Sequence, residues 1–587
     1  MADDRTYDAV IVGAGIAGLT SAAYLSKAGY RVLLCEKNEK PGGLVSSFQY
    51  RGFTFDGGIR AFENSGVIFP MLRQLGMEIP FVRNPVSIGV EDTIVKLRTK
   101  ESLSDYRMLL CSKFPGSERE IDQIIIEIKR AMQYMDILYG IDNPLFMDYK
   151  SDKKYIFKTL LPWLVRYHVT MPKIKDLQEP INLYMRRITK NQPLIDMITQ
   201  HFFTDTPAFF ALSYFGLYLD YSYPKGGTGI VVDKMAGLIR KNGGEIAYGT
   251  EISGIHADRK ELYAKDGRTF CCRGLIWCAD MKSLYLALDT DSVRDPAVRA
   301  NIGARAGLVK NNKGGNSVLT LFVTADLPKS YFEGICGCHI FYTPRREGIS
   351  GIGPAVLPLP AAGDGPKSAL LDWVSRYLSL TTYEISCPSL RDDSLAPQGM
   401  TGVIISTLMD YQLVKSADDS GWYDELKSFC EDRITAVLDK TLFPGFTGKI
   451  RGILCSTPLT LERMTGNAGG AITGWAFTNR KIPAVREFTR IAQSVLTPVP
   501  GIYQAGQWTF SPSGLPVSVM TAKFAADAVS KELGPPPEVK RYDLLSCCHH
   551  CRPSFEPAAV SPVSHTRHGR RGNQAGSSPQ SRHKNPA

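Results

Sequence analysis

The chain of 587 residues has room for about three to four ordinary domains, and its 44% hydrophobic and 22% charged residues are those of a globular protein with a large core. No stretch reaches the ~18 uninterrupted apolar residues of a membrane span. Of the formal net charge of +11, a balance of +6 falls from Lys540 onward, where eight Lys/Arg meet two Asp/Glu, leaving +5 for residues 1–539. A nucleic-acid footprint would be a basic face on the fold, so charge gathered on a tail makes nucleic-acid binding unexpected.

The N terminus, Met1-Ala2-Asp3-Asp4-Arg5, runs directly into a first apolar strand, so no signal or transit peptide is expected. Thirteen cysteines scattered through apolar runs, as at Cys35, Cys278 and Cys455, are the usage of a reducing compartment. The expected location is intracellular, cytoplasmic or peripherally membrane-associated, and not secreted.

Residues 7–36 organise the rest. The apolar run 9–12 reads as a buried parallel strand ending at Gly13, Gly15 and Gly18. The first glycine allows a tight turn, the second lets backbone approach a pyrophosphate, and the third lets the next helix pack on the strand. That helix is predicted over 16–27, with Ile16, Leu19, Ala23 and Leu25 on its apolar side and Gly29 as a left-handed cap. A second strand over 31–35 delivers Glu36, near the expected ~20-residue spacing, to accept hydrogen bonds from an adenosine ribose. Free N–H groups at the helix start favour the anion.

Pro41-Gly42-Gly43-Leu44 and the run Arg51-Gly52-Phe53-Thr54-Phe55-Asp56-Gly57-Gly58 follow. Paired glycines let backbone lie flat against a large planar or phosphorylated ligand. Ordinary loops have similar composition, but two such pairs just after a dinucleotide fingerprint favour a ligand.

Residues 118–138 predict an amphipathic helix, with Ile121, Ile124, Ile125, Ile128, Met132 and Met135 at helical spacing. Residues 155–167 interleave aromatic and aliphatic groups, such as Phe157 and Trp163, with Lys158 and Arg166. That pattern suits a helix in a membrane interface and equally a core helix with exposed basic positions. Aromatic groups concentrate at Phe202-Phe203 and across 208–215, as core or as the wall of a long apolar tunnel.

The segment Tyr223-Pro224-Lys225-Gly226-Gly227-Thr228-Gly229 precedes a helix over 230–241. Short strands are predicted around 243–246 and 251–255, then a hairpin of 260–264 with 269–271 turning at Asp266-Gly267, then a separate buried strand over 274–280. Strand-like runs within 318–345 and 402–409 predict a second sheet, and 422–438 a helix. Near the end, 501–507 reads as strand and loop, and Ser511-Pro512-Ser513-Gly514-Leu515-Pro516 opens a helix over 517–533. From 534 onward the order signal fades, and 552–587 is disordered by composition. In Cys547-Cys548-His549-His550-Cys551 the ligand types are adjacent rather than spaced, so a solvated tail is expected and no metal site.

Together these pieces resemble the FAD-dependent phytoene desaturase family, which includes carotenoid isomerases and retinol saturases, within the amine oxidase-like flavoproteins. The resemblance is carried by the fingerprint with Glu36, Gly42-Gly43, GFTFDGG at 52–58, YPKGGTG at 223–229, TPLTLERMTGN at 457–467 with GGAITGW at 469–475, and GIYQAGQ at 501–507 with SGLP at 513–516. It implies an α/β fold: a Rossmann-like FAD-binding domain, discontinuous in sequence, with a second α+β substrate domain. The expected parts are an FAD-binding segment at 1–90, a helical substrate or membrane-associated region at 91–224, FAD-binding segments at 225–290 and 455–535, a substrate-domain sheet at 291–454 and a basic tail at 536–587.

The resemblance also implies FAD along Gly13, Gly15 and Gly18 beside Ile16 and Ala17, with Glu36 on the ribose, Lys37 next to it and the Ile252 backbone near the adenine. The flavin ring is expected by Gly42, Gly43, Leu44, Gly57, Gly58, Gly506, Gly514 and Leu515. Leu44 stands where many relatives place an arginine, and Pro516 where glycine is common.

A hydrophobic polyene would reach the flavin face from the middle region and undergo desaturation, saturation or redox-assisted cis–trans isomerisation. The electron donor or acceptor stays open, and peripheral membrane contact is an added expectation. No Ser-His-Asp, HExxH or metal constellation supplies a catalytic residue; Glu462 and Arg463 are named only for the motif around them, a structural ion pair being the alternative. Two rival readings are a flavin amine oxidase, with Trp475 and Trp508 flanking the ring, and a non-catalytic lipid-binding escort on the same fold.

Overall fold

The computed structural model describes residues 6–353 and 364–536. The Cys/His cluster at 547–551 and the tail lie outside the described residues.

The apolar run that begins the chain becomes β1 (Thr6–Val12), followed by α1 (Ile16–Lys27) and β2 (Val32–Cys35). β1 lies between β2 and the strand Thr269–Trp277, parallel to both, with Val10 beside Leu33 and Leu275. Strand Glu245–Ala247 adds outside β2, and Ile502–Gln504 pairs in parallel with Thr269–Trp277. Strands Glu261–Ala264, Ile252–His256 and Leu288–Asp289 complete an eight-stranded sheet.

Both faces are covered, which is why β1 and β2 read as continuous apolar runs rather than alternating ones. On one face α1 packs with helices Ile230–Lys241 and Leu515–Leu533 through Ala22, Ala23, Met235, Val519 and Ala522. On the other, Val10, Val12, Leu33, Leu262 and Leu284 form a second core. Each large side chain so buried contributes about 1.5–3 kcal/mol.

The two strands expected at 269–271 and 274–280 are one strand, Thr269–Trp277. Its first part pairs with the antiparallel hairpin strand and its last part with Ile502–Gln504. Gly274, the first residue of the second expected strand, serves packing: a Cβ there would stand 3.2 Å from Val529 of the last helix. That helix begins at Leu515, two residues before the expected 517.

The second sheet has seven strands, in the order Ile450–Ser456, Ser317–Ala325, Thr401–Met409, Tyr383–Ser386, His339–Thr343, Val86–Val90 and Thr93–Leu97. The last two come from the boundary between the expected first FAD-binding segment and the helical region, and Val86–Val90 joins His339–Thr343 in parallel. Alternation along these strands sorts the faces. Leu319, Leu321, Ile340, Ile385 and Ile405 pack with Val374, Leu378, Ile434 and Leu438 of the helices behind. The intervening Thr320, His339, Glu384 and Ser406 face a cavity.

The helix expected at 118–138 is Glu118–Tyr139, whose Ile121, Ile124, Ile125 and Ile128 pack with Leu212 and Phe215 of Ala208–Leu219. Among the described residues no helix is long and apolar enough to cross a membrane.

Candidate functional site

The three fingerprint glycines have separate physical reasons. Gly13 turns with φ +96°, and a Cβ on Gly18 would stand 1.8 Å from the Gly13 carbonyl oxygen, so helix and turn touch there. Gly15 caps α1 in ordinary extended geometry (φ −69°), and a Cβ on it would meet nothing within 4 Å. The space above Gly15 is open although Ala14 and Ala17 beside it are buried. Leu19 N–H makes the first intrahelical bond to Gly15 O, which leaves the earlier N–H groups at the helix start free to meet an anion.

Gly42 lies in a parallel bridge with Gly15 and donates its N–H to Ala14 O at 2.9 Å. A Cβ on Gly43 would stand 3.5 Å from the Gly15 Cα, so the two glycine-rich turns face each other. Glu36 is buried; its carboxylate accepts from the Ala14 N–H at 2.7 Å, the Asn38 N–H at 3.0 Å and Asn38 Nδ2 at 2.9 Å. Three of about four acceptor sites are thereby filled, leaving one for a hydroxyl.

The chain's last segment reaches the same place. Ile502–Gln504 carries Gly506 to where a Cβ would stand 3.4 Å from the Ala17 Cβ, and the Gly506 N–H donates to Thr521 Oγ1 at 3.0 Å. A cavity of about 830 Å³ opens beside it, lined by Ile16, Leu44, Gly57, Gly58, Gly514 and Leu515. The N terminus of Leu515–Leu533 therefore faces the cavity, and its free N–H groups favour negative charge there. Away from the glycines one stretch of wall is apolar, with Met135, Leu138, Met171, Ile174, Phe209 and Phe210, and another is polar, with Glu63, His339 and Glu384.

Behind the glycine pair a buried polar network holds the frame. The Asp56 carboxylate, 1% exposed, accepts from Tyr223 Oη at 2.7 Å, the Thr228 N–H at 2.8 Å, and the Thr228 and Ser47 hydroxyls at 3.0 Å each. This ties the GFTFDGG run to the YPKGGTG segment. Arg60 donates to Asp56 O at 2.9 Å and to Ser406 Oγ at 3.2 Å. Arg391 lies 3.9 Å from the Tyr223 ring centroid and donates to Asn84 Oδ1 at 2.8 Å.

That bond turns the Asn84 amide group toward His339 Nδ1 at 3.2 Å, so His339 accepts there and donates from Nε2 to Glu384 at 3.0 Å. Burial pushes the His339 imidazole below its ordinary value. Burial works against ionising Glu384, but the His339 bond and the nearby Arg60 and Arg391 outweigh it and hold its carboxyl below the usual range.

Comparison with known proteins finds similarity at two levels. Residues 11–75 match the model of the NAD(P)-binding Rossmann-like domain. The chain is 22% identical to the chloroplastic prolycopene isomerase of Daucus carota, over 90% of this chain and 81% of the isomerase. It is 21% identical to the all-trans-retinol 13,14-reductase of Rattus norvegicus, over 89% and 86%. It is 22% identical to the phytoene desaturase of Fusarium fujikuroi, over 89% of each. Over about nine-tenths of its length the chain is thus similar to phytoene desaturases, carotenoid isomerases and retinol reductases. An oxidoreductase structure from Methanosarcina mazei shares the fold, with a TM-score of 0.55 at 14% identity over 89% of this chain and 99% of that one.

The remaining predicted residues divide. Ile252 lies in the first sheet, buried beside Val10 and Val12; its neighbour Thr250 donates its N–H to Glu36 O at 2.7 Å. The Lys37 side chain turns away and donates to Arg463 O at 3.0 Å. Glu462 accepts from Tyr411 Oη at 2.7 Å and the Gly469 N–H at 2.9 Å, and Arg463 lies 3.6 Å from Asp418, so both make structural contacts and neither lines the cavity.

Trp475 and Trp508 are buried against each other, with ring centroids 4.9 Å apart and planes at 71°, packed with Met281 and Val309. They form no pair of walls around a ligand, which removes the support for an amine oxidase cage. Trp163 is also anchored, donating Nε1 to Ile137 O at 2.6 Å. Phe157, Leu161, Val165 and Val169 are exposed instead, and Leu161–Lys175 puts Met171 and Ile174 on the cavity wall. The sequence reading missed Glu63, His339 and Glu384. The one local signal was Glu63 itself, an acid following Ile59, Ala61 and Phe62 just after the second glycine pair.

Proposed function

We propose that the chain is an FAD-dependent oxidoreductase acting on a hydrophobic polyene, by desaturation, saturation or redox-assisted cis–trans isomerisation. The observation that carries this is a single crevice bordered by the first glycine turn, the second glycine pair and the start of the last helix, opening into an apolar cavity. The relatives' names point the same way.

Gly13, Gly15 and Gly18 with the free N–H groups of Ile16 and Ala17 would hold the pyrophosphate, Glu36 a ribose hydroxyl, and Gly43, Leu44, Gly57, Gly58, Gly506, Gly514 and Leu515 the ring. When bound, FAD supplies a hydride acceptor or donor at N5. Met135, Leu138, Ile174 and Phe209 exclude water and orient an apolar chain along the cavity. Delocalisation along a polyene lowers the demand for a strong protein base.

The exposed apolar face of 156–169, interleaved with Lys158 and Arg166, would rest on an anionic bilayer and admit the insoluble substrate beside Met171 and Ile174. Anaerobic incubation of the FAD-loaded protein with carotenoids and retinoids, following flavin absorbance and product spectra, tests the reading. Spectral change with at least one polyene is expected. Inertness toward all of them in both the oxidised and the reduced protein would overturn it.

A further inference from the structure

We propose that one end of the cavity is a subsite for a single neutral hydroxyl head, so that the ligand is an amphiphile with one polar terminus and not a hydrocarbon. This rests on reading the cavity as the substrate site.

Most of the cavity wall is apolar, and a hydrocarbon needs nothing else. Yet Glu63 and Glu384 both face the interior. Among the described residues Glu63 has no cation and no side-chain partner; its only hydrogen-bonding neighbour is its own backbone N–H. Tyr139, Tyr214 and Tyr221 lie close enough to feel its charge and line the same wall. A carboxyl without a partner depends on water for its hydrogen bonds, and an apolar ligand pressed against it would remove that water. A hydroxyl placed there replaces it.

Glu384 offers the complementary acceptor. One oxygen takes the His339 Nε2–H, while the side chain remains 32% exposed to the interior. Tyr214 is influenced by both carboxyls, and Tyr221 stacks on His339 with centroids 6.0 Å apart, so the two acids belong to one end of the cavity.

Charge selects the kind of head. The cations Arg60 and Arg391 are matched by the anions Asp56 and Glu384 around the same buried network. Burial pushes the Glu63 carboxyl upward, toward its neutral, donating form. The two arginines and two carboxylates of this network offset each other, so an ammonium or a carboxylate would add uncompensated charge beside them and a hydroxyl would not. Glu63 donating and Glu384 accepting satisfy both functions of one hydroxyl group.

The test titrates the FAD-loaded protein in detergent solution with all-trans-retinol, the methyl-terminated hydrocarbon of the same skeleton, retinylamine, hexadecanol and hexadecane, reading tryptophan fluorescence and the flavin spectrum. Each alcohol is expected to bind at least about tenfold tighter than its hydrocarbon, a difference of about 1.4 kcal/mol. Glu63→Leu breaks no hydrogen bond to another residue; it should erase most of that preference, lower the alcohol's affinity and leave the hydrocarbon's unchanged. Glu384→Gln is the second variant, read with a thermal melt to confirm folding.

Equal affinities for alcohol and hydrocarbon, tighter binding of the amine, or a preference untouched by both variants would overturn the head subsite while leaving polyene chemistry standing. Head-dependent binding of hexadecanol without any polyene binding would keep the subsite and remove the polyene. Binding of none of the five removes both.

Discussion

Gly15 and Gly18 are three residues apart on one motif, and the structure gives them opposite consequences on substitution. At Gly15 the backbone is extended and an added methyl group meets nothing, so Gly15→Ala should fold normally. Alanine is the poorer helix cap by about 1 kcal/mol, while its restriction of the unfolded chain returns about 0.4–1 kcal/mol, so net stability changes by about 0.5 kcal/mol or less. The same methyl group would occupy the space into which the proposed FAD would bring its pyrophosphate. Losing one or two charge-assisted hydrogen bonds there costs about 3 kcal/mol, on the order of a hundredfold in FAD affinity.

At Gly18 the methyl carbon would lie 1.8 Å from the Gly13 oxygen. Restoring an ordinary carbon–oxygen contact requires α1 to retreat by about 1.5 Å, at a cost of about 3 kcal/mol or more of stability. Thermal unfolding of both apoproteins, with FAD titrated by fluorescence quenching, separates the two effects. Wild-type FAD affinity in Gly15→Ala, or wild-type stability in Gly18→Ala, would refute the reasoning.

Further outcomes follow from the same geometry. Asp56→Ala leaves four donors in the core without their acceptor and should cost about 3–5 kcal/mol in urea unfolding, against about 1–2 kcal/mol for Tyr223→Phe; a cost under 1 kcal/mol for the alanine variant would contradict the network. Because burial raises the Glu63 carboxyl above its ordinary 4.5, its contribution to stability is fully present below pH 4.5 and is lost as pH rises through the elevated folded value. Glu63→Gln should therefore gain stability relative to wild type across that rise, and parallel melting curves over the pH series would show that the side chain does not sense burial. Changing Phe157 and Val165 together to Ser should weaken flotation with vesicles containing anionic lipid, since both side chains are about two-thirds exposed at 67% and 66%; Trp163→Ser should instead loosen the helix, whose indole is bonded to Ile137.

What the sequence discloses follows how local each feature is. β1, α1 and β2 are contiguous, and their apolar run, glycine spacing and helical period can be read without knowing any distant partner. The strand pair at 86–97 was missed because its meaning depends on His339–Thr343, some 250 residues onward. The strand Thr269–Trp277 was read as two because its first part pairs with a near hairpin and its last part with Ile502–Gln504, over 200 residues onward. Trp475 and Trp508 carried the right chemistry for an aromatic cage, but only packing shows that they fill each other's space. Glu384 and His339 are invisible as a motif; strand alternation and cross-sheet register bring them to one wall with Ser406.

The central claim is that one dinucleotide lies across segments that begin and end the folded chain. Hydrogen exchange of the apoprotein, repeated after adding FAD, tests it most directly. Protection should rise together in residues 13–18 and 506–518. Protection confined to the first segment, with no change at the start of the last helix, would contradict the account.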